Sequence, residues 1–273
     1  MKASVLFILS SSISLLLQAQ DRFVEAPGIR SATVDRAGDL YLIRDTEVVK
    51  YDSRGEKVAA WAHDGTASFD TGNSVRMLAY HPARRLVYFL NPVLNLIDSM
   101  TIDTSIAIEP TLVCSHGDYG LLVFDAADSS IKRVDSRDKS VSSDQKLMGT
   151  GNLNPVYMRY YQNFLFILNK GAGIEVFSLF GKHLRTIPAT GLSTFNFFGE
   201  ELYYLEAGTI QFVDLFTLER RSIAYPTRQV TSLLLTETRL YALSETGAVA
   251  VKDRHKPLVV TGLQQMGHLV DHH

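Results

Sequence analysis

The stretch Ser31–Trp61, SATVDRAGDLYLIRDTEVVKYDSRGEKVAAW, decides the fold. It contains four runs of β-branched and aromatic residues, separated by Asp-Arg-Ala-Gly, Asp-Thr and Asp-Ser-Arg-Gly breaks. Gly, Asp and Ser supply the positive φ angles and the side-chain to backbone hydrogen bonds that tight turns need. The stretch therefore predicts four short strands joined by tight turns.

The same pattern recurs along the chain. A two-residue hydrophobic core, predicted to lie in the second strand of each unit, occurs at Leu40-Tyr41, Val87-Tyr88, Leu121-Leu122, Leu165-Phe166, Leu202-Tyr203 and Leu240-Tyr241. From Tyr41 to Tyr241 is 200 residues in five steps, a mean period of 40. A period of about 40 residues is typical of four-stranded propeller blades. We therefore predict an all-β protein, a six-bladed β-propeller with four-stranded antiparallel blades.

A small polar residue follows each core by ten to thirteen residues. These residues, predicted to end the third strands, are Asp52, Asp98, Asp135, Ser178, Asp214 and Asp253. We predict that each caps the following turn by accepting backbone N–H groups. The five carboxylates belong to separate blades, so they are not expected to gather around a metal.

The second blade is predicted to repeat the pattern of the first. Its four strands are predicted, in order, in the segments VRMLAY, LVYFL, LNLID and TSIAI of residues 75–108. A closed ring also leaves no exposed strand edge. We therefore expect Arg22–Ala26, which precedes the first blade, to pair with the last blade or cover its edge.

The N-terminal residues have the features of a secretory signal peptide. Lys2 precedes an apolar run, Val5–Leu17, that is too short for a membrane span, and Ala19 offers a small residue for cleavage. We predict a signal peptide at residues 1–19, a propeller at 20–262 and a tail at 263–273. The protein is then exported, periplasmic or extracellular, without a transmembrane span.

Composition limits the partners. The net formal charge is −2 and no basic stripe is present, so nucleic acid is not expected as a partner. The single cysteine, Cys114, lies in the apolar run LVCS and is predicted to be a buried core residue. We expect a monomer.

Residues 31–61 resemble an NHL-type or gluconolactonase-like repeat of the TolB-like superfamily. The resemblance rests on the strand GDLYL, the strand VVKYD and the turn SRGE, and extends in rhythm over residues 20–262. It implies a six-bladed propeller, in a superfamily whose members act as lactonases, zinc-dependent lyases or binding platforms. A repeated Gly-His and Trp-Asp pair, the signature of WD40 propellers, is absent.

Propeller lactonases, which the resemblance offers as one alternative, hold a divalent cation in the central channel with Glu, Asn and Asp side chains. The predicted starts of the innermost strands contain Asn73 and Asn196 and no carboxylate. Glu25, Asp35 and Asp70 are the nearest acidic residues if the strand phase is shifted. We therefore predict no cofactor, no metal site and no catalytic residue.

A recognition pocket is the remaining prediction. Arg76, Arg159 and Arg228 lie on or just before predicted innermost strands, with Tyr157 and Asn196 nearby. If they share one mouth of the channel, they form a cationic, aromatic-rimmed site for a carboxylate or an acidic peptide. The alternative is that each arginine pairs with a local acidic residue.

The predicted function is a binding module for an envelope or extracellular protein or peptide, without enzymatic activity. The stretch TFNFFGEELYYLE, residues 194–206, is the candidate for an exposed aromatic patch. The alternative is that its phenylalanines pack between blades. The alternative function is a metal-dependent lactonase or esterase of the gluconolactonase-like type.

Overall fold

The computed structural model describes residues 22–24, 27–65, 68–149, 153–225, 230–244, 247 and 249–253. In this part of the chain there are twenty-four β-strands and one short 3-10 helix, Pro82–Arg84. The strands form six four-stranded antiparallel sheets. Such sheets are the blades of a β-propeller, and the protein is all-β, as predicted.

In five of the sheets, neighbouring strands follow one another along the chain. The first sheet contains β2 (Ser31–Val34), β3 (Leu40–Ile43), β4 (Glu47–Tyr51) and β5 (Lys57–Ala62). The second contains β6 (Ser68–Asp70), β7 (Met77–His81), β8 (Leu86–Leu90) and β9 (Leu96–Thr101). The third contains β10 (Pro110–His116), β11 (Gly120–Asp125), β12 (Ser130–Asp135) and β13 (Val141–Lys146). The fourth contains β14 (Pro155–Tyr161), β15 (Phe164–Asn169), β16 (Gly173–Ser178) and β17 (His183–Ile187). The fifth contains β18 (Asn196–Phe198), β19 (Glu201–Glu206), β20 (Thr209–Asp214) and β21 (Arg220–Ala224).

The sixth sheet combines the two ends of the chain. It contains β22 (Val230–Leu235), β23 (Arg239–Ser244), β24 (Val249–Asp253) and, as its fourth strand, β1 (Arg22–Val24). β1 is antiparallel to β24, with Phe23 opposite Ala250. The predicted pairing of the N-terminal segment with the last blade is therefore confirmed. It ties the start of the chain to its last described strand.

Apolar clusters lie between consecutive sheets. One of them joins β3 and β4 to β7, another joins β15 and β16 to β19, and a third joins β23 of the sixth sheet to β3 of the first. The second strand of each sheet is covered on both faces, which explains its continuous apolar sequence. The core therefore lies between the sheets and continues from the sixth sheet to the first.

The recurrent tyrosine of the second strands has a structural reason. Tyr203 and Tyr241 are each about 1% exposed. The Tyr203 hydroxyl accepts a hydrogen bond from the Leu235 N–H of the next sheet, at 2.8 Å. The Tyr241 hydroxyl donates to the Gly38 carbonyl of the first sheet, at 3.1 Å. A buried tyrosine needs such a partner, and here each bond joins two sheets.

The predicted strand phase of the second sheet is wrong by one strand. Its first strand is β6, only three residues long, and MLAYH forms the second strand, buried along its whole length. LVYFL is the third strand, and residues 104–108 (TSIAI) form no strand. A strand as short as SFD gives almost no alternation in the sequence. The longer apolar runs that follow it therefore dominate the pattern and suggest a strand order that begins one strand too late.

Four of the predicted turn caps are confirmed, those of Asp52, Asp135, Ser178 and Asp214. The Asp52 carboxylate accepts hydrogen bonds from the Arg54 and Glu56 N–H groups, and Asp214 accepts from two N–H groups of its own turn. Asp135 and Ser178 do the same for one N–H each. Asp98 is an exception because it lies within β9, and Asn91 caps the corresponding turn. Asp253 ends β24, and its side chain lies outside the described part.

Candidate functional site

The first strands of the sheets line the centre of the ring. β10 contacts β14 and β6, and β2 contacts β22, so first strands of different sheets meet there. Side chains on these strands face either a neighbouring sheet or the channel. Groups from several sheets therefore come together in the channel.

A buried ion pair joins the second and fourth sheets. Asp70, the last residue of β6, lies 3.7 Å (Oδ1) from the Arg159 Nε on β14. The Asp70 and Arg159 side chains are 7% and 13% exposed. The Asp70 carboxylate also accepts hydrogen bonds from the Gly72 N–H at 2.7 Å and the Ser115 N–H at 2.8 Å. Three sheets are thus joined through one carboxylate.

Arg159 is held in its charged form. Burial lowers its pKa, but Tyr157 and Asp70 outweigh burial and raise the pKa above the usual value. The Arg159 Nη1 donates to the Tyr157 hydroxyl at 3.2 Å. The Tyr157 ring in turn packs edge-on against Phe195, with centroids 5.1 Å apart. Two predicted pocket residues, Tyr157 and Arg159, therefore lie in contact.

Asp70 corrects the sequence interpretation of the channel. The predicted innermost strands contained no carboxylate, whereas Asp70 lies on β6, a first strand. The error follows from the phase of the second sheet, because Asn73 and Arg76 lie in the β6–β7 loop and not on a first strand. Asp70 is one of the three acidic residues expected near the channel if the strand phase is shifted, and the strands of the second sheet are shifted in this way.

Arg76 has different neighbours from Arg159. Its guanidinium donates to Asp98 at 2.9 Å and to the Ser136 hydroxyl at 3.2 Å. It also lies 3.6 Å from the centroid of the Phe89 ring. Both arginines thus have an acidic partner, and they share no contact. Arg228 lies outside the described residues.

Asn196 borders a small cavity between the fifth and sixth sheets. The cavity has a volume of about 30 Å³ and is lined by hydroxyl-bearing residues together with apolar ones. The polar residues are Ser193, Thr194, Asn196, Thr231 and Ser232. Such a volume holds about two water molecules, so it is too small for a sugar or a peptide side chain of ordinary size.

Histidine and cysteine positions give no cluster with metal-ligating chemistry. Within the described ranges, no three His, Cys, Asp or Glu side chains are grouped as metal ligands. His183 contacts the buried Glu175, with Nε2 2.8 Å from Oε2. Cys114 is fully buried, as predicted, and burial raises the pKa of its thiol. A thiol of this kind is a poor nucleophile.

The predicted aromatic patch is core. Phe195 is 1% exposed, and Phe197 packs against the cluster between the fourth and fifth sheets. Phe197 stacks on Tyr161 at a centroid distance of 4.2 Å. The interpretation of these phenylalanines as packing between blades is therefore correct.

Several of the exposed apolar side chains lie at the turns between third and fourth strands or beside them. Phe180 is 78% exposed in the β16–β17 turn, and Phe216 is 55% exposed in the β20–β21 turn. We define the turn-tip surface by five exposed residues: Met148 (61%), Phe180, Leu184 (41%), Phe216 and Leu218 (46%).

Hydrogen bonds place the members of the turn-tip surface next to one another. The Met148 N–H donates to the Gly181 carbonyl at 3.1 Å, and the His183 N–H donates to the Met148 carbonyl at 3.2 Å. The Arg185 Nη2 donates to the Leu215 carbonyl at 2.6 Å. The β16–β17 turn thus connects with the end of the third sheet on one side and the β20–β21 turn on the other.

The sequence carried only a weak signal for this surface. LFGK in the fourth unit and LFTLE in the fifth place a phenylalanine where the first unit has Arg54. The β4–β5 and β16–β17 turns are built alike, each with a glycine of positive φ as its last residue (Gly55 and Gly181). A comparison of equivalent turn positions would have indicated the exposed phenylalanines.

Among the residues that the structure describes, no helix is long and apolar enough to cross a membrane. No protein-family model and no curated protein sequence matches the chain.

Solved structures of low sequence identity share the fold. A chain of the mitotic checkpoint complex is similar with a TM-score of 0.56 and 11% identity, over 92% of this chain and 99% of that one. Streptogramin B lyase is similar with a TM-score of 0.54 and 10% identity, over 85% of each chain. BamB from Moraxella catarrhalis has a TM-score of 0.44 and 10% identity, over 82% of this chain and 84% of its own. At such identities the similarity to the first two structures shows the fold alone, a β-propeller.

Proposed function

We propose that this chain is an exported β-propeller that binds a protein or peptide in the periplasm or at the cell surface. One observation carries the proposal: the turn-tip surface exposes two phenylalanines, two leucines and a methionine on neighbouring sheets. Exposed apolar patches of this kind mark interaction sites, and aromatic residues and methionine are enriched in protein interfaces. The propeller supplies the rigid scaffold that holds the turns in place.

The finer architecture belongs to the same proposal. We take residues 1–19 as a signal peptide, residues 20–262 as a closed six-bladed ring and residues 263–273 as a tail, with the protein a monomer. The six sheets, the apolar clusters between them and the pairing of β1 with β24 support the ring. Mass spectrometry of the protein from the periplasmic fraction tests export. An N-terminus at Gln20 is expected, and a retained Met1 would contradict it.

Site-specific photo-crosslinking in cells tests the binding function. A photoreactive phenylalanine analogue at position 180 should give one defined adduct with an envelope protein. The matched control has the analogue at position 58, because Val58 is also exposed, at 53%, but lies on β5 of the first sheet. An adduct at position 58 and none at position 180, or none at either, contradicts the proposal.

The predicted pocket residues stay a separate part of the proposal. Arg159 and Tyr157 lie together in the channel, and Asn196 borders the adjoining cavity between the fifth and sixth sheets. A small carboxylate is the ligand that Arg159 would favour. Arg159→Lys keeps the charge but loses the planar fork, so it should weaken binding of a carboxylate probe such as citrate or acetate. Unchanged binding would remove Arg159 from the site.

A metal-dependent lactonase is the second candidate, and one observation favours it: Asp70 places a carboxylate on a first strand. The donor set fits poorly, however. Both Asp70 oxygens already accept backbone N–H groups, and the Arg159 guanidinium beside them repels a cation. One tightly bound calcium or zinc ion per chain of the wild-type protein would support the lactonase over the binding module.

A further inference from the structure

Phe180 occupies the corner of a four-residue turn, closed by a hydrogen bond from the Gly181 N–H to the Ser178 carbonyl at 3.1 Å. Gly181 has a φ of +74°, and a Cβ there would lie 2.5 Å from the Lys146 carbonyl oxygen. The turn is therefore held close against the third sheet, and its phenylalanine projects outward. The Phe180 side chain can therefore be buried only by contact with another molecule.

Leu218 gives a second, independent observation. The last residue of the turn between third and fourth strands has a positive φ in five sheets: Gly55, Leu94, Lys139, Gly181 and Leu218. Leu94 is 2% exposed, so packing explains a leucine at that position. Leu218 has a φ of +64° and is 46% exposed. It combines an unfavourable backbone conformation with an unburied apolar side chain, the combination that a binding surface accounts for.

Two exposed lysines lie at one end of the turn-tip surface. Lys146 and Lys182 are both exposed, and they flank Met148 and Phe180 in the fold. Asp144, close to Lys146 in sequence, is already paired with Lys132 at 2.7 Å. Across the described ranges, no carboxylate forms an ion pair with either lysine. The Met148 and Phe180 end of the surface is therefore cationic, whereas the exposed Glu219 follows Leu218 at the other end.

Arg185 adds to this charge and fixes the spacing of the turns. Burial lowers the pKa of Arg185. Its Nη2 donates to the Leu215 carbonyl, one residue before Phe216. The tips of the fourth and fifth sheets are therefore tied together at a fixed spacing. A ligand that meets both tips must be extended along the rim of the ring.

We infer that the turn-tip surface binds an acidic amphipathic segment of a partner protein. Its apolar side chains cover Phe180, Phe216 and Leu218, and its Asp and Glu side chains reach Lys146 and Lys182. Charge complementarity of this kind speeds association and excludes basic partners. The inference rests on the proposed function and names the chemistry of the partner.

Two short synthetic peptide libraries test it. One contains Asp and Glu alternating with Leu and Phe, and the other has Lys in place of every Asp and Glu. Binding is measured by fluorescence anisotropy with the full protein. We expect the acidic library to bind and the basic library not to bind, and binding of the acidic library to weaken as salt rises.

Variants assign the binding to the surface. Phe180→Ser should weaken binding of the acidic library roughly tenfold or more, as expected for a central aromatic anchor. Lys182→Glu should weaken it severalfold and reduce its salt dependence. The matched control is Lys57→Glu with Val58→Ser, an exposed lysine beside an exposed valine on β5, and this variant should bind like wild type. Equal melting temperatures of the variants confirm that each is folded.

The outcomes separate the inference from the proposed function. Peptide binding that is indifferent to charge, or unaffected by Phe180→Ser, overturns the inference and leaves a peptide-binding module. Vesicles of phosphatidylglycerol and phosphatidylethanolamine serve as the second probe. Binding to these vesicles through Phe180, with no binding of either library, identifies a membrane contact and overturns both.

Discussion

Replacement of Asp70 by asparagine should destabilise the protein strongly. The substitution keeps the size of the side chain and one oxygen acceptor, but removes the negative charge beside Arg159. The Gly72 and Ser115 N–H groups, which now bond to the two carboxylate oxygens, are left to compete for one. The second, third and fourth sheets would lose the group that joins them.

The magnitude follows from burial. The side chains of Asp70 and Arg159 are 7% and 13% exposed, so water screens the pair poorly. Removal of one partner of a buried ion pair costs roughly 3–5 kcal/mol, because the other charge stays buried without compensation. In a domain of this size, about 1 kcal/mol corresponds to about 2–4 °C. We therefore expect Asp70→Asn to lower the melting temperature by roughly 6–20 °C.

Asp98→Asn is the matched control. Asp98 also pairs with an arginine, Arg76, at 2.9 Å, but its side chain is 48% exposed. Exposed ion pairs contribute about 0–1 kcal/mol, so this variant should unfold within a few degrees of wild type. The comparison separates the effect of burial from the loss of a negative charge.

A double-mutant cycle measured by urea unfolding tests the pair itself. Asp70→Asn, Arg159→Met and the double variant should give losses that are not additive, with a coupling of at least about 1 kcal/mol. If Asp70→Asn costs less than about 1 kcal/mol, or if the two losses add within about 0.5 kcal/mol, the ion pair does not hold the sheets together.

Three further predictions concern stability. Leu218→Gly should raise the free energy of unfolding by about 0.5–1 kcal/mol, because glycine adopts a positive φ without strain. Leu94→Gly should lower it by about 2 kcal/mol or more, because Leu94 is buried. Urea titrations in which both variants change the free energy of unfolding with the same sign would contradict the reasoning. Burial lowers the pKa of His116 below 6.5, so the unfolded chain takes up the proton first. The stability that neutral His116 contributes is therefore present above pH 6.5 and is lost as the pH falls through the folded-state pKa. In a plot of the urea unfolding midpoint against pH, His116→Asn should flatten the curve over this range. Deletion of residues 1–26 removes β1 and should lower the melting temperature, because it leaves the edge of β24 unpaired. Deletion of residues 263–273 should leave the melting temperature unchanged. Equal melting temperatures of the two deletion variants would exclude closure by β1.

Several features of the fold were predictable because they depend on local patterns. A strand that is buried on both faces must be apolar throughout, so the second strands could be located from runs such as LYLI and FLFIL. Turns require Gly, Asp or Ser, so the caps at Asp52 and Asp214 could be named. The N-terminal strand could be assigned to the last sheet because an open edge is unfavourable.

The parts that failed depend on contacts between sheets. β6 is three residues long and its alternation is too short to detect, so the second sheet was assigned out of phase and Asp70 was left out of the channel. The partner of Arg159 could not be found from sequence, because it lies on a different sheet. Arg76 has the acidic partner that the alternative interpretation expects, Asp98, and it also donates to the Ser136 hydroxyl.

The sequence by itself determined the repeat, the strand and turn chemistry and the closing strand, because each follows from the period of the apolar residues and from the conformational needs of the backbone. The tertiary structure alone decided which aromatic side chains are buried. Phe195 directly precedes β18 and is 1% exposed, whereas Phe180 lies in the β16–β17 turn and is 78% exposed. The difference arises because an adjacent sheet covers Phe195, whereas Phe180 stands at the corner of an outer turn. Packing between sheets involves residues that are distant in sequence, so the local sequence does not show which side chains another sheet will cover.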